Sequence, residues 1–235
     1  MYDHRKSRPL RKYKPIETIT LQVEVHKLST LIAFTSCHQY ENQGLNDAVR
    51  NTWLPDALQE GFDYKFFHGK GASEKEDVII VDSSDGYLSS TSKLKLKVEW
   101  ALRQGFDFIF CCFPDTYACA SRLSACDYKN WDYFGCVFQH PGGSPYCQGG
   151  CGWFMNRKAM QLIIDESNSY PNDDCFVGDV LNRPEIRRKH CDSFVYVGEG
   201  PLPTNSVITS HLSTRKEGFT VQSMIDEHNK CKGIT

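Results

Sequence analysis

The sequence predicts an α/β fold built on a mixed, mostly parallel sheet with helices on both faces. Short, largely apolar runs alternate with amphipathic segments through the first half of the chain, as in βαβ units. The 235 residues, 40% hydrophobic and 24% charged, have the size and composition of one ordinary globular domain. No internal repeat or low-complexity segment points to another architecture.

Apolar runs predict five strands, at residues 28–34, 62–69, 77–82, 106–113 and 195–197. Helical spacing of apolar residues predicts three helices, at residues 46–57, 90–103 and 158–167. We expect Pro55 and Asp56 to close the first helix, and Ser90 with Thr91 to cap the second. Gly142 to Pro145 predicts a loop.

The charge is distributed unevenly along the chain. The net charge is −2, but residues 1–14 hold six lysines and arginines against a single aspartate. We therefore divide the chain into a basic N-terminal arm at 1–25, a main domain at 26–214 and a polar, partly helical tail at 215–235. The arm is either a solvated, frayed terminus or an attachment for an acidic partner such as DNA, RNA or a membrane surface.

Compartment and redox state follow from what the sequence lacks. It has no apolar run of about 18 residues, so we expect no membrane span. Residues 1–30 lack the apolar stretch of a signal peptide, which predicts a cytoplasmic protein, with a Golgi-lumen location only if the sequence has been trimmed. The eleven cysteines form no paired CxxC modules, so mostly reduced, buried thiols are expected.

Two acidic sites are the strongest functional signals. Asp115 follows the apolar run 106–113, and Asp173 with Asp174 stands four residues before Gly178. Carboxylates at the end of a buried strand are costly unless they bind a cation or move a proton. Ligands of parallel sheets bind at the carboxyl ends of the strands. The alternatives are that Asp115 is only a helix N-cap and that the aspartate pair only caps the following segment.

Seven segments in order carry a resemblance to a known family: 46–53, 66–69, 82–93, 113–117, 146–153, 173–178 and His211. Segment 46–53 resembles an R-x-x-x-R-x-T-W helix, and 82–93 follows a D-F-x-D-x-Y-x-N-L-T-x-K pattern without a gap. Segment 113–117 falls at a D-D-D-T-[FY] motif, and 173–178 resembles E-D-V-x-x-G. Together they resemble the β1,3-glycosyltransferases of the galactosyltransferase/Fringe type over about residues 30–212.

The resemblance implies a GT-A-type, Rossmann-like fold and an inverting glycosyltransferase, here a hexosyltransferase. It also implies a nucleotide-sugar donor, usually a UDP-sugar, and a divalent cation, usually Mn²⁺. A cation bridging the phosphates would stabilise the leaving group, and one general base would activate the acceptor hydroxyl.

Site residues follow from the matched positions. Asp174 matches the family's catalytic base, and Asp115 with His211 matches the metal ligands. The positions expected to bind the donor are Thr35, Ser36, Arg50, Asp85, Lys93, Gly149, Gly150 and Asp173. Gly149 and Gly150 would let the backbone approach the sugars closely.

The chain departs from the family pattern at one motif. Phe113 and Pro114 replace the first two aspartates of D-D-D, and Cys111 replaces the lysine two residues before it. These changes leave an alternative open, a catalytically inactive, transferase-like module that binds a sugar or a nucleotide.

The acceptor is not identified by the motifs. Without an anchor or signal, we expect a bacterial, phage or viral enzyme acting in the cytosol, or a trimmed catalytic domain. A glycan, a protein side chain or a hydroxymethylated DNA base could accept the sugar. A base in duplex DNA would have to be flipped out.

Overall fold

The computed structural model describes residues 28–71, 75–167, 172–196, 206–214 and 219–234. The predicted basic arm at 1–25 lies outside these residues, as do Val197 and residues 215–218 of the tail. Within the described part, no helix is both long and apolar enough to cross a membrane.

Twelve strands and eight α-helices lie in the described ranges. The strands are β1 (Thr30–Thr35), β2 (Asp63–His68), β3 (Val78–Ile80), β4 (Phe108–Cys112), β5 (Thr116–Ala118), β6 (Tyr133–Gly135), β7 (Val137–Phe138), β8 (Tyr146–Cys147), β9 (Trp153–Asn156), β10 (Arg188–His190), β11 (Phe194–Val195) and β12 (Thr209–His211). The helices are α1 (His38–Asn42), α2 (Leu45–Arg50), α3 (Trp53–Gln59), α4 (Ser90–Arg103), α5 (Ala120–Ala125), α6 (Arg157–Asp165), α7 (Asp173–Val180) and α8 (Val221–Lys232).

Seven strands form the central sheet, in the order β10-β6-β9-β4-β1-β2-β3. The pairs β4-β1, β1-β2, β2-β3 and β10-β6 are parallel, whereas β9 runs antiparallel to both of its neighbours. The predicted mixed, mostly parallel α/β fold is therefore confirmed.

The two faces of the sheet carry separate apolar clusters because side chains alternate along each strand. In β1, Ile32 and Phe34 join the cluster under α2, α3, α5 and α8. Leu31 and Ala33 join the cluster under α4, α6 and α7. All four side chains are fully buried. The sheet is thus covered on both faces, as a largely parallel sheet requires.

The predicted helix at 46–57 is wrong in its continuity, because the chain forms α2 and α3 with a break at Asn51 and Thr52. Thr52 leaves the helical region, with φ −116° and ψ −100°, and its hydroxyl donates to the Ala48 carbonyl at 2.6 Å. Pro55 lies in the first turn of α3, near its N-terminus, and does not close a helix at its C-terminal end. A first-turn amide has no partner within the helix, so proline costs little there.

Helix α8, in the tail, packs on the main domain. Met224 is fully buried, His228 lies 6.2 Å from Tyr117 between ring centroids, and Cys231 contacts Cys119. A side-chain and backbone capping box at Thr220 begins the helix. The residues of β5 are thereby covered by the end of the chain.

Candidate active site

A cleft lies where the parallel strands end, between β1 and β4. After β1 the chain moves to β2 and β3 on one side, then returns to β4 on the other side. Such a switch point opens a crevice at the carboxyl ends of the strands. The cleft has a volume of about 430 Å³. Its lining residues are Thr35, Ser36, Cys37, Gln39, Tyr40, Asp85, Gly86, Ser90, Lys93, Phe113, Asp115, Gln148, Gly149, Gly150, Asp173, Asp174 and His211.

Asp115 and His211 form one wall of the cleft. Asp115 directly precedes β5, which pairs antiparallel with β12 so that Thr116 lies opposite His211. His211 Nε2 lies 3.1 Å from Asp115 Oδ2, and the Ser213 hydroxyl donates to the same oxygen. Because a strand follows Asp115, the helix N-cap alternative for this residue is wrong.

The second carboxylate oxygen of Asp115 is a candidate cation ligand. Asp115 is 7% exposed, and its Oδ1 atom has no hydrogen-bond partner among the described residues. A buried carboxylate oxygen without a partner is costly, and a cation would offset that cost. Oxygen and imidazole ligands suit Mn²⁺. The wall therefore fits a divalent cation, although the described residues contain no group of three or more His, Cys, Asp or Glu side chains that could hold one alone.

The glycine pair lies between this wall and the next. A Cβ atom on Gly150 would lie 2.3 Å from the His211 ring, and one on Gly149 would lie 3.3 Å from Phe113 Cε2. The Thr116 hydroxyl donates to the Gly150 carbonyl at 2.9 Å. Gly150 is thus required by the position of His211, a reason that the sequence pattern alone does not provide.

Asp173 and Asp174 form the second wall, in the first turn of α7. Asp174 Oδ1 accepts the Cys175 amide at 2.8 Å, and its Oδ2 accepts the Gly149 amide at 3.3 Å. Asp173 is 5% exposed, and its Oδ2 has no hydrogen-bond partner in the described part of the chain. Burial raises the pKa of Asp173 to about 6, and the nearby Asp174 charge adds to this. Both carboxylates line the cleft. Their negative charges also stabilise the N-terminus of α7.

A third wall is fixed by Lys93 and Asp85. Lys93 Nζ donates to the Ser36 carbonyl at 2.8 Å and to Asp85 Oδ1 at 3.1 Å. Asp85 also accepts the amides of His38 and Gly69, each at 2.6 Å. Burial opposes ionisation of Asp85, but these amides and Lys93 outweigh it and lower its pKa. The two side chains hold the segment after β1 against the start of α4.

Arg50 lies outside the cleft, unlike the other predicted site residues. Its guanidinium contacts Glu41 at 2.8 Å, Asp47 at 2.7 Å and Asp77 at 2.7 Å. These ion pairs tie α2 to α1 and to the segment before β3. In this structure Arg50 supports α1, whose Gln39 lines the cleft, without reaching the cleft itself.

Several lining residues were not predicted, including Gln39, Tyr40 and Gln148, and neither was the supporting Ser213. Gln39 and Tyr40 lie on α1, a five-residue helix without a clear sequence pattern. Their one available signal is that they directly follow the carboxyl end of the first strand. Gln148 precedes the glycine pair, and its side chain accepts the Cys151 amide at 3.0 Å.

The charges in the cleft are mainly negative. Four carboxylates line it, those of Asp85, Asp115, Asp173 and Asp174. The Lys93 ammonium also lines it, but that charge is engaged by Asp85. An anionic ligand such as a diphosphate would therefore need a cation beside it.

Comparison with solved structures identifies a protein of similar fold. A crystal structure of a glycosyltransferase involved in the glycosylation of the major capsid of PBCV-1 superposes with a TM-score of 0.51 at 13% sequence identity, covering 86% of this chain and 99% of that one. No protein-family model matches the chain, and no curated protein matches it. The chain thus shares a mixed α/β fold with that glycosyltransferase.

Proposed function

We propose that this chain is a metal-dependent, inverting glycosyltransferase that moves a sugar from a nucleotide-sugar donor, a UDP-sugar, to an acceptor hydroxyl. One observation carries the proposal. Asp115 with His211 and Asp174 line two walls of the same cleft, at the switch point of a sheet shared with a glycosyltransferase.

Asp115 and His211 would hold the divalent cation. Asp115 offers its buried Oδ1, which has no hydrogen-bond partner in the part of the chain that the structure describes, and the diphosphate of the donor would supply further oxygen ligands. When bound, the cation neutralises the negative charge that develops on the leaving diphosphate. This charge compensation is needed because the cleft itself is lined by carboxylates.

Asp174 is the proposed general base. Each of its oxygens accepts one backbone amide, and a carboxylate has lone pairs beyond these two bonds. Asp174 takes the proton of the acceptor hydroxyl as that oxygen bonds to the anomeric carbon. The bond from the anomeric carbon to the phosphate oxygen breaks on the opposite face, its electron pair leaves with the diphosphate, and the configuration inverts.

An exposed pair of aromatic rings beside the cleft favours a glycan among the three acceptor classes. Phe138 and Tyr196 are 38% and 42% exposed, with ring centroids 5.6 Å apart. The Tyr196 ring lies 5.6 Å from the His211 ring at the cleft. Paired exposed aromatic rings beside a binding site offer an apolar surface with polar edges, which suits the C–H faces of a sugar.

A nucleotide-sugar panel tests the proposal. Thermal unfolding and donor hydrolysis are measured with each donor, with and without Mn²⁺. A ligand that binds only the folded chain raises its melting temperature. We expect one UDP-sugar to stabilise the chain in a Mn²⁺-dependent way and to be turned over. A chain that neither binds nor hydrolyses any donor would contradict the proposal.

The second candidate is a transferase-like binding module without turnover. Phe113 favours it, since this ring lines the cleft at a position where the family has an aspartate. The same panel separates the two candidates. The module predicts a thermal shift with a sugar or nucleotide but no hydrolysis and no transfer at any donor concentration.

A further inference from the structure

Two cysteines that are far apart in the chain bring their sulfur atoms together outside the cleft. Cys231 is in the last turn of α8, and Cys119 directly follows β5. Their Sγ atoms lie 2.6 Å apart, although the residues are separated by 112 positions. Both are free thiols in the structure. Sulfur atoms this close meet a basic requirement of a disulfide, that the two side chains point toward each other.

The backbone that carries each sulfur is held by other contacts. The Cys119 amide donates to the Ile208 carbonyl at 2.8 Å. On α8, the Met224 side chain is fully buried, and the Lys232 ammonium forms an ion pair with Asp56 at 2.7 Å. The approach of the two sulfur atoms is therefore fixed by the packing of α8 on the main domain.

The two thiols differ in charge and in exposure. The Cys231 thiol donates to the Cys119 sulfur, and this hydrogen bond lowers the pKa of Cys119, although burial opposes the shift and the Arg122 charge adds to it. Cys119 is 5% exposed, whereas Cys231 is only partly buried. Cys231 is thus the sulfur that a reagent from solvent meets first, and Cys119 is the group that accepts its proton. A thiolate is the form that attacks a disulfide bond.

We propose that Cys119 and Cys231 form a reversible disulfide that locks α8 onto the β5 segment, made by exchange with a low-molecular-weight disulfide of the glutathione class. Cys231 attacks one sulfur of the reagent as its proton passes to Cys119, and the first thiolate leaves. That thiolate takes up the proton from Cys119. Cys119 then attacks the Cys231 sulfur and expels the second thiolate. Two cysteine sulfurs are oxidised, and the reagent is reduced to one thiol and one thiolate.

The expected effect of the link is on the stability of the folded chain and on the exposure of β5. A disulfide that closes a loop of this length removes conformational freedom from the unfolded chain. We expect the melting temperature to rise by about 5–15 °C for a chain of this size. The amides of β5 (Thr116–Ala118) should exchange more slowly with solvent, because α8 could no longer move away from them. Neither effect depends on the proposed transferase activity.

Mass spectrometry of the full chain tests the proposal. The folded protein is incubated with oxidised or with reduced glutathione, remaining thiols are alkylated, and the chain is digested without reduction. Cleavage after Tyr117 and Arg122 isolates Cys119 from the other cysteines in residues 118–122. We expect a peptide from the oxidised sample that links Cys119 to Cys231. The same sample should show the higher melting temperature, and dithiothreitol should reverse both changes.

Cys231→Ser is the test variant, and Cys126→Ser is the matched control. The Cys126 thiol donates to the Leu123 carbonyl at 3.1 Å, a bond that a serine hydroxyl can replace. Cys231→Ser should lose the oxidised shift in melting temperature and the slower exchange of β5, whereas Cys126→Ser should keep the linked peptide and both effects. If Cys231→Ser does not fold, Cys119→Ser provides the same comparison.

Three results would overturn the proposal. The first is the absence of the Cys119–Cys231 peptide after incubation of the folded wild-type chain with oxidised glutathione. The second is an oxidised thermal shift that persists in Cys231→Ser, which would place the stabilising link elsewhere. The third is a linked chain whose melting temperature and β5 exchange equal those of the reduced chain, which would exclude the locking of α8.

Discussion

Asp115 and His211 are 96 positions apart in the chain, yet His211 Nε2 lies 3.1 Å from Asp115 Oδ2. The antiparallel pairing of β5 with β12 brings them together, since it places Thr116 opposite His211. Ser213, two residues further on, donates to the same carboxylate oxygen. The pair leaves Asp115 Oδ1 without a hydrogen-bond partner among the described residues.

Asp115→Asn should abolish Mn²⁺-dependent donor binding, because a neutral amide is a poor ligand for a divalent cation. Several kcal/mol of charge stabilisation would be lost, which is on the order of a 100-fold or greater weakening. Titration calorimetry with UDP and Mn²⁺ measures this. Asp165→Asn, at an exposed position on α6, is the control. Unchanged Mn²⁺-dependent binding in Asp115→Asn would show that the metal assignment is wrong.

Asp174→Asn should retain donor binding and lose transfer. Removing a general base typically reduces kcat by about 10²- to 10⁴-fold. Steady-state kinetics with the active donor gives kcat, and the thermal shift gives donor binding. Asp179→Asn changes an exposed residue on the same helix and should change neither. Full transfer activity in Asp174→Asn would exclude it as the base.

Gly150→Ala should displace the His211 ring, because the new Cβ atom would lie 2.3 Å from it. We expect the KM for the donor in the presence of Mn²⁺ to rise while the far-ultraviolet circular dichroism stays that of the wild type. Gly143→Ala, whose Cβ would meet its nearest atom at an ordinary 3.6 Å, should behave as wild type. Equal kinetics for both variants would mean that His211 has no part in metal binding.

Glu41 predicts a pH-dependent contribution to stability. Burial opposes its ionisation, but hydrogen bonds from Arg50, Lys75 and Asn46 outweigh this and lower its pKa from 4.5 to about 2. A lowered pKa means that the stabilisation is complete above about pH 4.5 and is lost as the pH falls toward 2.

Glu41→Gln should therefore lower the free energy of unfolding at pH 7 by about 2–3 kcal/mol, and the difference from wild type should shrink below pH 4.5. Urea unfolding at several pH values measures it. Glu99→Gln removes an exposed helical ion pair with Arg103 and should cost less than about 0.5 kcal/mol. A pH-independent difference for Glu41→Gln would contradict the charge-based explanation.

Tyr196→Ala should raise the KM for a glycan acceptor and leave donor hydrolysis unchanged. The Tyr196 ring contributes an exposed face beside His211, and we expect its removal to cost about 1 kcal/mol or more of acceptor binding. Initial rates at varied acceptor concentration measure the change. An acceptor KM equal to that of wild type would argue against stacking at this position.

Part of the parallel core was readable from the sequence because β1, β3 and β4 lie in short, largely apolar runs. Helix α4 was predicted with its observed bounds, Ser90–Arg103, from its apolar stripe, but the predicted cap is wrong, because Ser90 and Thr91 lie inside the helix and Ser89 is the N-cap. The break between α2 and α3 was not readable, since the helical spacing of apolar residues continues across Asn51 and Thr52. Strands of two or three residues, such as β5 and β12, are too short to carry a period.

At the candidate site, too, some features could be predicted from the sequence and others depend on tertiary contacts. Asp115, Asp174 and His211 could be proposed from motif order, and the structure places all three at one cleft. The contact between His211 and Gly150 depends on a tertiary approach that no local pattern records. Lys97 is buried, yet it stands in a run of alternating lysines and leucines, where nothing distinguishes a buried ammonium from a solvated one. Only the packing of α4 against β1 makes that distinction.

Helix α8 packs against the β5 segment, which directly follows the proposed metal ligand Asp115. Its His228 and Cys231 rest against Tyr117 and Cys119 of the β5 segment, and β5 begins at the residue after Asp115. A partner protein or fused domain that draws α8 away would uncover β5 and loosen its pairing with β12. Displacement of α8 would then change the affinity of the proposed Asp115 and His211 site for its cation.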